Sequence, residues 1–178
     1  GVMTADPRKV KEALPIHSMT YHEAVEMSYF GAKVIHPPTM RPAEEKNIPI
    51  LIKNTFDTSA PGTLIGNKTS DEGALAKGIS SISDTVMLQV EGSALPRLRG
   101  ASGRIFSALA SARVNVILIT QASSQQSVSF AVAPQDAGPA KRAIEEEFAL
   151  ELKNKLLNTI SVRRDLSIIA VVGEGMRH

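Results

Sequence analysis

The sequence predicts an α+β chain in which a β-α-β-β-α-β unit follows a shorter, mixed α/β segment. Three observations predict it. Residues 100–114 and 137–155 carry apolar side chains at helical spacing, with Ile105 and Leu109 on one and Ala140, Ile144, Phe148 and Leu152 on the other. Between and around them lie short apolar runs bounded by turn residues: "DTVMLQVEG" (84–92), "NVILITQA" (115–122), "QSVSFAVAP" (126–134) and "NTISVRRD" (158–165). Upstream, "DTSAPGTLIGNKTSDEG" (57–73) is rich in Gly, Ser, Thr and Asp and reads as loop and linker, which places a boundary near 66–77. The order over 84–165 is the ferredoxin-like, split βαβ pattern, with an antiparallel sheet and both helices on one face.

The upstream segment has its own local signals. Residues 1–18 are rich in turns, with Pro7 and Pro15. Ser18 or Thr20 can cap a helix carrying Ala24, Val25, Met27, Tyr29 and Phe30; Glu23 three after Thr20 is a capping-box pattern, and Gly31 is a natural stop. "HPPTM" breaks that helix and "RPAEEKN" forms a second short helix or turn. "IPILIKNTF" (48–56) is a strand with Pro49 near its start. At the other end, "LSIIAVVGEGMRH" (166–178) begins a further strand that runs into glycine, as residues 84–92 do, and so reads as the first strand of a second copy. A dinucleotide-binding fingerprint is a rival reading, but the third glycine and its helix are missing.

Composition excludes several function classes. Apolar residues make up 43% and aromatics only 4%, so the core is aliphatic. The net charge of +2 is scattered and leaves no electrostatic footprint for nucleic acid. No apolar run approaches the roughly 18 residues of a membrane span, so no membrane partner is expected. There is no cysteine, hence no disulfide and no thiolate metal site, which fits a reducing, cytoplasmic setting. The histidines show no ligand spacing, and no metal centre is expected. "PGTLIGNKTS" misses the phosphate-loop pattern by one position and reads as linker. The "EEE" run at 145–147 reads as a solvated helix face. The chain opens inside a loop-like stretch without an initiator Met, as a piece of a longer protein would.

Two stretches invite a chemical reading. "GVMTADPR" and "FGAKVIHP" each place a cation, Arg8 and Lys33, beside small residues and proline-fixed turns, as a nucleotide phosphate requires, although taken alone two solvated surface cations are the plainer reading. The polar stretch Gln121–Ser127 between two strands lacks the Asn-Gly or Asp-Gly of a tight hairpin. It reads either as a wide loop satisfying its own backbone or as part of a ligand site. In the second reading, Gly100 lets a ligand approach the backbone, and the N–H groups of Ala101, Ser102 and Gly103 at a helix start receive a carboxylate. The strand from Asn115 is expected to lie beside that loop in the sheet. Carbonyls near Asn115, Val116 and Ile117 would take an ammonium, and Gln121 would read the side chain.

"GVMTADPR", "EMSYFGAKVIHPPTMRPA", "IPILIKNTFDTSAPGTLI" and "LITQASSQQSVSFAV" resemble, in order, segments of the aspartate kinase family, in particular the kinase half of the bifunctional aspartate kinase–homoserine dehydrogenases. The resemblance covers essentially the whole chain. It implies that 1–66 is a C-terminal fragment of the kinase catalytic domain, 67–83 a linker, 84–165 an ACT regulatory domain, and 166–178 the first strand of a truncated second ACT domain. It implies ATP contacts at Met3, Asp6, Arg8 and Lys33, although Met3 stands where relatives often carry an aromatic. The family's amino-terminal Lys-Phe-Gly-Gly motif is not in these residues, so the fragment is expected to hold no catalytic residue and to be inactive alone. ATP and Mg are then substrates of the parent enzyme, with no tightly bound cofactor. The effector residues are expected to be Gly100, Ala101, Ser102, Asn115, Val116, Ile117 and Gln121. The "QASSQ" stretch resembles the threonine-sensitive type, and no Asp or Glu lies between Asn115 and Ser129 to pair a second ammonium, so threonine is favoured over lysine. Pairing of ACT modules implies a homo-oligomer. The alternative is a stand-alone ACT-type amino-acid sensor or a dimerisation module without catalysis.

Overall fold

Local chemistry fixes the first helix before any tertiary contact does. In the computed structural model, which describes residues 1–32, 35–69, 75–121 and 126–176, strand β1 (Ser18–Thr20) runs directly into α1 (Tyr21–Tyr29). The Thr20 hydroxyl accepts the Glu23 N–H at 3.1 Å, and Glu23 accepts the Thr20 N–H at 2.9 Å. This is the predicted capping box. At the far end Gly31 takes φ +106°, and the Ala32 N–H reaches back to Met27 O at 3.0 Å, a Schellman-type stop. Helix α2 (Pro37–Glu45) follows, earlier than predicted, because Pro37 and Pro38 open it rather than break the chain.

The chain divides into two compact units: Gly1–Ile82 with Ile168–His178, and Ser83–Ser167. In the first unit, β2 (Ile50–Ile52) and β3 (Thr63–Gly66) join β1 in the order β1-β3-β2, with β1 parallel and β2 antiparallel to β3. Strand β3 corrects the sequence reading, which took 57–73 as loop. Its four residues carry no alternation long enough to notice. Distant partners hold it instead: Ile65 is fully buried, and the buried Thr63 hydroxyl accepts the Val2 N–H and donates to Ile16 O. Val2, Ile16, Met19, Tyr21, Ala24, Met27, Met40, Ile65 and Val172 make this unit's core.

The second unit follows the predicted β-α-β-β-α-β order. Its elements are β4 (Gly78–Glu91, of which 83–91 belong to this unit), α3 (Ala101–Ser111), β5 (Val116–Gln121), β6 (Ser127–Val132), α4 (Ala137–Glu147), α5 (Ala149–Lys153) and β7 (Ser161–Val172, of which 161–167 belong to it). The sheet order is β5-β6-β4-β7, and β6 is antiparallel to both β4 and β5. Val86, Leu88 and Val90 lie opposite Val132, Phe130 and Val128, and all six are buried with Ile105, Leu109, Ala140 and Ile144. The sheet face that alternation marks as apolar is therefore the face the helices cover.

Two differences from the sequence reading share one cause. Residues 78–83, read as linker, are the first part of β4. Residues 158–165 and 166–172, read as separate strands, form one strand, β7. Both strands carry an aspartate in the left-handed region, Asp84 at φ 56° and Asp165 at φ 57°, a conformation Asp tolerates better than most residues. These aspartates look like strand ends in sequence, yet pairing continues past them. The Lys77 N–H donates to Val172 O at 2.7 Å, and the Thr85 hydroxyl to Leu166 O at 2.9 Å. One edge of β7 is thus paired with β4, and the other is the outer edge of the sheet.

The second helix was predicted to run unbroken over 137–155, but it turns at Phe148. Arg104 explains the break. Its guanidinium lies 4.2 Å from the Phe148 ring centre, donates to the Glu147 carbonyl at 2.8 Å, and pairs with the Glu147 and Glu151 carboxylates at 2.7 and 2.5 Å. It takes a carbonyl that the next helical turn would use, and a cation over an aromatic face adds attraction. Glu147, read as solvated, is therefore engaged. The hydrogen bond from Arg104 holds the Glu151 carboxyl below its ordinary 4.5. A lowered carboxylate pKa adds stability above the unfolded value and loses it as pH falls through the folded value. Arg104→Met should lower the unfolding free energy by about 1–3 kcal/mol at pH 7. In urea titrations across pH, the gap between variant and wild type should close below about pH 4; a pH-independent gap would contradict this role.

Candidate functional site

The residues read as nucleotide contacts meet in a cavity of the first unit. Its volume is about 370 Å³, and Met3, Asp6 and Arg8 line it with Val2, Ala5, Met27, Gly31, Ala32, Ile79, Ser80 and Ser81. The loop that carries the first three is held rigid. Ile16 N–H donates to Val2 O, Thr4 N–H to Leu14 O, and Ile79 N–H to Thr4 O, all at 2.7–2.9 Å. Met3, Met27 and Ile79 supply an apolar wall, and thioethers make favourable contacts with aromatic rings. Arg8 donates two hydrogen bonds to the Asp6 carboxylate, Nε to Oδ1 at 3.0 Å and Nη2 to Oδ2 at 2.9 Å. That hydrogen bonding holds the Asp6 carboxyl below its ordinary range and raises Arg8 above its own. Arg8 is thus a fixed cation at an open rim, its side chain 87% exposed. Lys33, the other predicted cation, lies outside the described residues.

Sequence reasoning missed part of this cavity. Lys9 donates to the Ser81 hydroxyl at 3.0 Å, and Ser80, Ser81 and Ile79 come from the start of β4, more than seventy positions after the loop they face. Ile79, Ser80 and Ser81 fall in 67–83, the stretch the resemblance marks as linker.

The residues read as effector contacts do not meet at one place. Gly100 caps α3 in the left-handed region at φ 72°, with open space where a side chain would stand and no side-chain cap on the helix. Its neighbour Ala101 is buried and Ser102 half-buried. Gly92, at the root of this loop, donates its N–H to Gln126 O at 3.0 Å. Gln121 is exposed and lies opposite Val128, near the same end of the sheet. Asn115, Val116 and Ile117 are at the other end, where the register slips between Val116 and Leu118. At about 3.3 Å per residue, Val116 and Gln121 stand roughly 16 Å apart, further than one free amino acid reaches. The expectation that the strand from Asn115 lies beside the β4 loop is also corrected: β6 lies between β4 and β5. The ferredoxin-like order puts the second strand at the edge, and periodicity alone does not reveal that. The middle of the polar loop, 122–125, lies outside the described residues.

Among the described residues no His, Asp and Glu group could hold a metal ion, and no helix is long and apolar enough to cross a membrane.

Comparison with known proteins places both units. A model of the amino acid kinase family matches residues 1–54, and a model of the ACT domain matches residues 88–148. The bifunctional aspartokinase/homoserine dehydrogenase of Haemophilus influenzae is 47% identical over 177 residues, which is 99% of this chain and 22% of that protein. A chloroplastic counterpart in Arabidopsis thaliana is 41% identical over 181 residues, again 99% of this chain and 20% of the relative. The chain thus spans about a fifth of the length of these curated relatives. Among solved structures, the aspartate kinase of Clostridium acetobutylicum superposes with a TM-score of 0.84 at 31% identity, covering 99% of this chain and 40% of that one. Aspartokinase III of E. coli in complex with aspartate and ADP gives 0.77 at 29% identity, over 96% of this chain and 37% of its own. The same enzyme in complex with lysine and aspartate gives 0.74 at 30% identity, over the same shares. With a kinase-family segment, an ACT segment and relatives that match both in one stretch, the chain belongs to the aspartokinase family.

Proposed function

We propose that the chain is the regulatory region of an aspartate kinase, together with the part of the catalytic domain that holds ATP. The whole protein transfers the γ-phosphoryl of ATP, with Mg, to the β-carboxylate of aspartate, the first step toward threonine, lysine and methionine. This region alone does not perform that transfer. The observation that carries the reading is the cavity: Met3, Asp6 and Arg8, named from the resemblance, line one space with the turn that leads into Lys33. The ADP bound by the E. coli relative supports a nucleotide as its occupant. A sensor without catalysis has no use for such a cavity. MgATP should bind the chain, and Arg8→Ala should weaken it about five- to tenfold through the lost phosphate contact. Calorimetry that finds equal affinities for both would remove Arg8 from the site.

The ACT unit takes an amino-acid effector, and threonine is our choice. The stretch from Asn115 to Ser129 offers amide, hydroxyl and main-chain groups and contains no Asp or Glu to pair a second ammonium. A second copy completes it. Strand β5 is an edge, so two units can pair antiparallel through it. Pairing about the strand's midpoint sets Val116 of one copy opposite Gln121 of the other, and the roughly 16 Å separation within one chain closes between chains. Feedback then works by differential binding: threonine inhibits by favouring one arrangement of the pair. Threonine should raise the melting temperature of the chain and lysine should not, and Gln121→Ala should abolish the shift. Light scattering should report a dimer. A monomer that still responds to threonine would contradict the shared site, and a shift with lysine instead would contradict the specificity.

A further inference from the structure

The cavity's inner wall is built on the start of β4, and one side chain joins the two. Ser80 is 4% exposed. Its hydroxyl accepts the Ala32 N–H at 3.1 Å and faces the carbonyls of Phe30 at 2.8 Å and Met27 at 3.0 Å, one of which receives its proton. Between these partners sits Gly31 at φ +106°, where any side chain would collide with the Ser81 carbonyl. The turn at 30–32 is thus locked to β4 at two successive residues, by a hydroxyl and by close backbone packing. On the other side of the cavity, the Ile79 N–H holds Thr4 O at 2.7 Å and Lys9 holds the Ser81 hydroxyl. Gly31, Ala32, Ile79, Ser80 and Ser81 all face the same space, and Lys33 is next in the chain.

We propose that Ser80 is a positioning residue for this cavity: by tying the Phe30–Ala32 turn to β4, it makes ligand binding in the cavity and the conformation of β4 at Ile79–Ile82 a single equilibrium. The proposal rests on reading the cavity as the nucleotide site. Serine suits the task because a hydroxyl donates and accepts at once over a short reach. Alanine in its place removes the bonds that join the turn to β4: the Ala32 N–H keeps Met27 O at 3.0 Å, but nothing then ties Ala32 and Phe30 to the strand through residue 80, and the turn is free to shift against it. A shift of the turn moves the cavity wall and the backbone that enters Lys33. Coupling of this kind is reciprocal, so a ligand that orders the turn also orders the strand.

Calorimetry with MgATP and amide hydrogen exchange on the wild-type chain, Ser80→Ala and Ser80→Thr test this. Ser80→Ala should bind MgATP about tenfold more weakly, about 1.4 kcal/mol, while Ser80→Thr, which keeps the hydroxyl, recovers most of the affinity. In the wild type MgATP should slow exchange at Ile79–Ile82, and in Ser80→Ala it should not. Ser80→Cys replaces the alanine variant if that one fails to fold, with the same expectation. Equal MgATP affinity in wild type and Ser80→Ala would overturn the proposal and leave the nucleotide reading standing. If the wild type binds no MgATP, the nucleotide reading falls, and exchange at the Ala32 amide decides the rest. Faster exchange at Ala32 in Ser80→Ala supports the tie to β4, and unchanged exchange overturns it.

Discussion

Strand β4 runs through the boundary between the two folded units, so its first residues belong to one and its last to the other. Its first residues face the cavity of the kinase segment through Ile79 and Ser80. Its last residues, Val86 to Glu91, pair with β6 at the centre of the ACT sheet. Strand β7 returns beside it and ends at Val172, which is buried in the core of the first unit. A strand is stiff because each residue's backbone is held by neighbours on the ladder. A displacement along it costs several hydrogen bonds at once, and each exposed partner is expensive when buried.

What the sequence made legible was what short-range chemistry controls. Thr20 with Glu23 and the following Gly31 bracket α1 because caps act within one turn. The alternation of Val86, Leu88 and Val90, and of Val128, Phe130 and Val132, gives strands whose apolar face must meet a helix. What it hid was held by distant partners. β3 exists because the Thr63 hydroxyl serves Val2 and Ile16, far away in the chain. The bend at Phe148 exists because Arg104, on another helix, takes a carbonyl of Glu147. The aspartates at 84 and 165 looked like ends because nothing local shows that pairing resumes beyond them.

The candidate sites divide the same way. Met3, Asp6 and Arg8 were legible because one short loop carries them. Their partners Gly31, Ser80 and Ser81 were not, since the fold brings them from two other segments. The effector residues, read as one cluster, are spread out instead, with Val116, Ile117 and Gln121 set along β5. Gly100 and Gln121 are at one end of the sheet and Asn115 at the other, because β5 runs the length between them. An edge strand carrying half of a site at each end is what a two-fold pair would use, since symmetry sets opposite ends together.

If β4 links the two sites energetically, occupancy of one must change affinity at the other by the same factor in both directions. The direct measurement is the MgATP affinity of the chain with and without saturating threonine, paired with the threonine affinity with and without MgATP. The account predicts a change of about fivefold or more, equal in the two experiments. Affinities that are identical with and without the second ligand would contradict it.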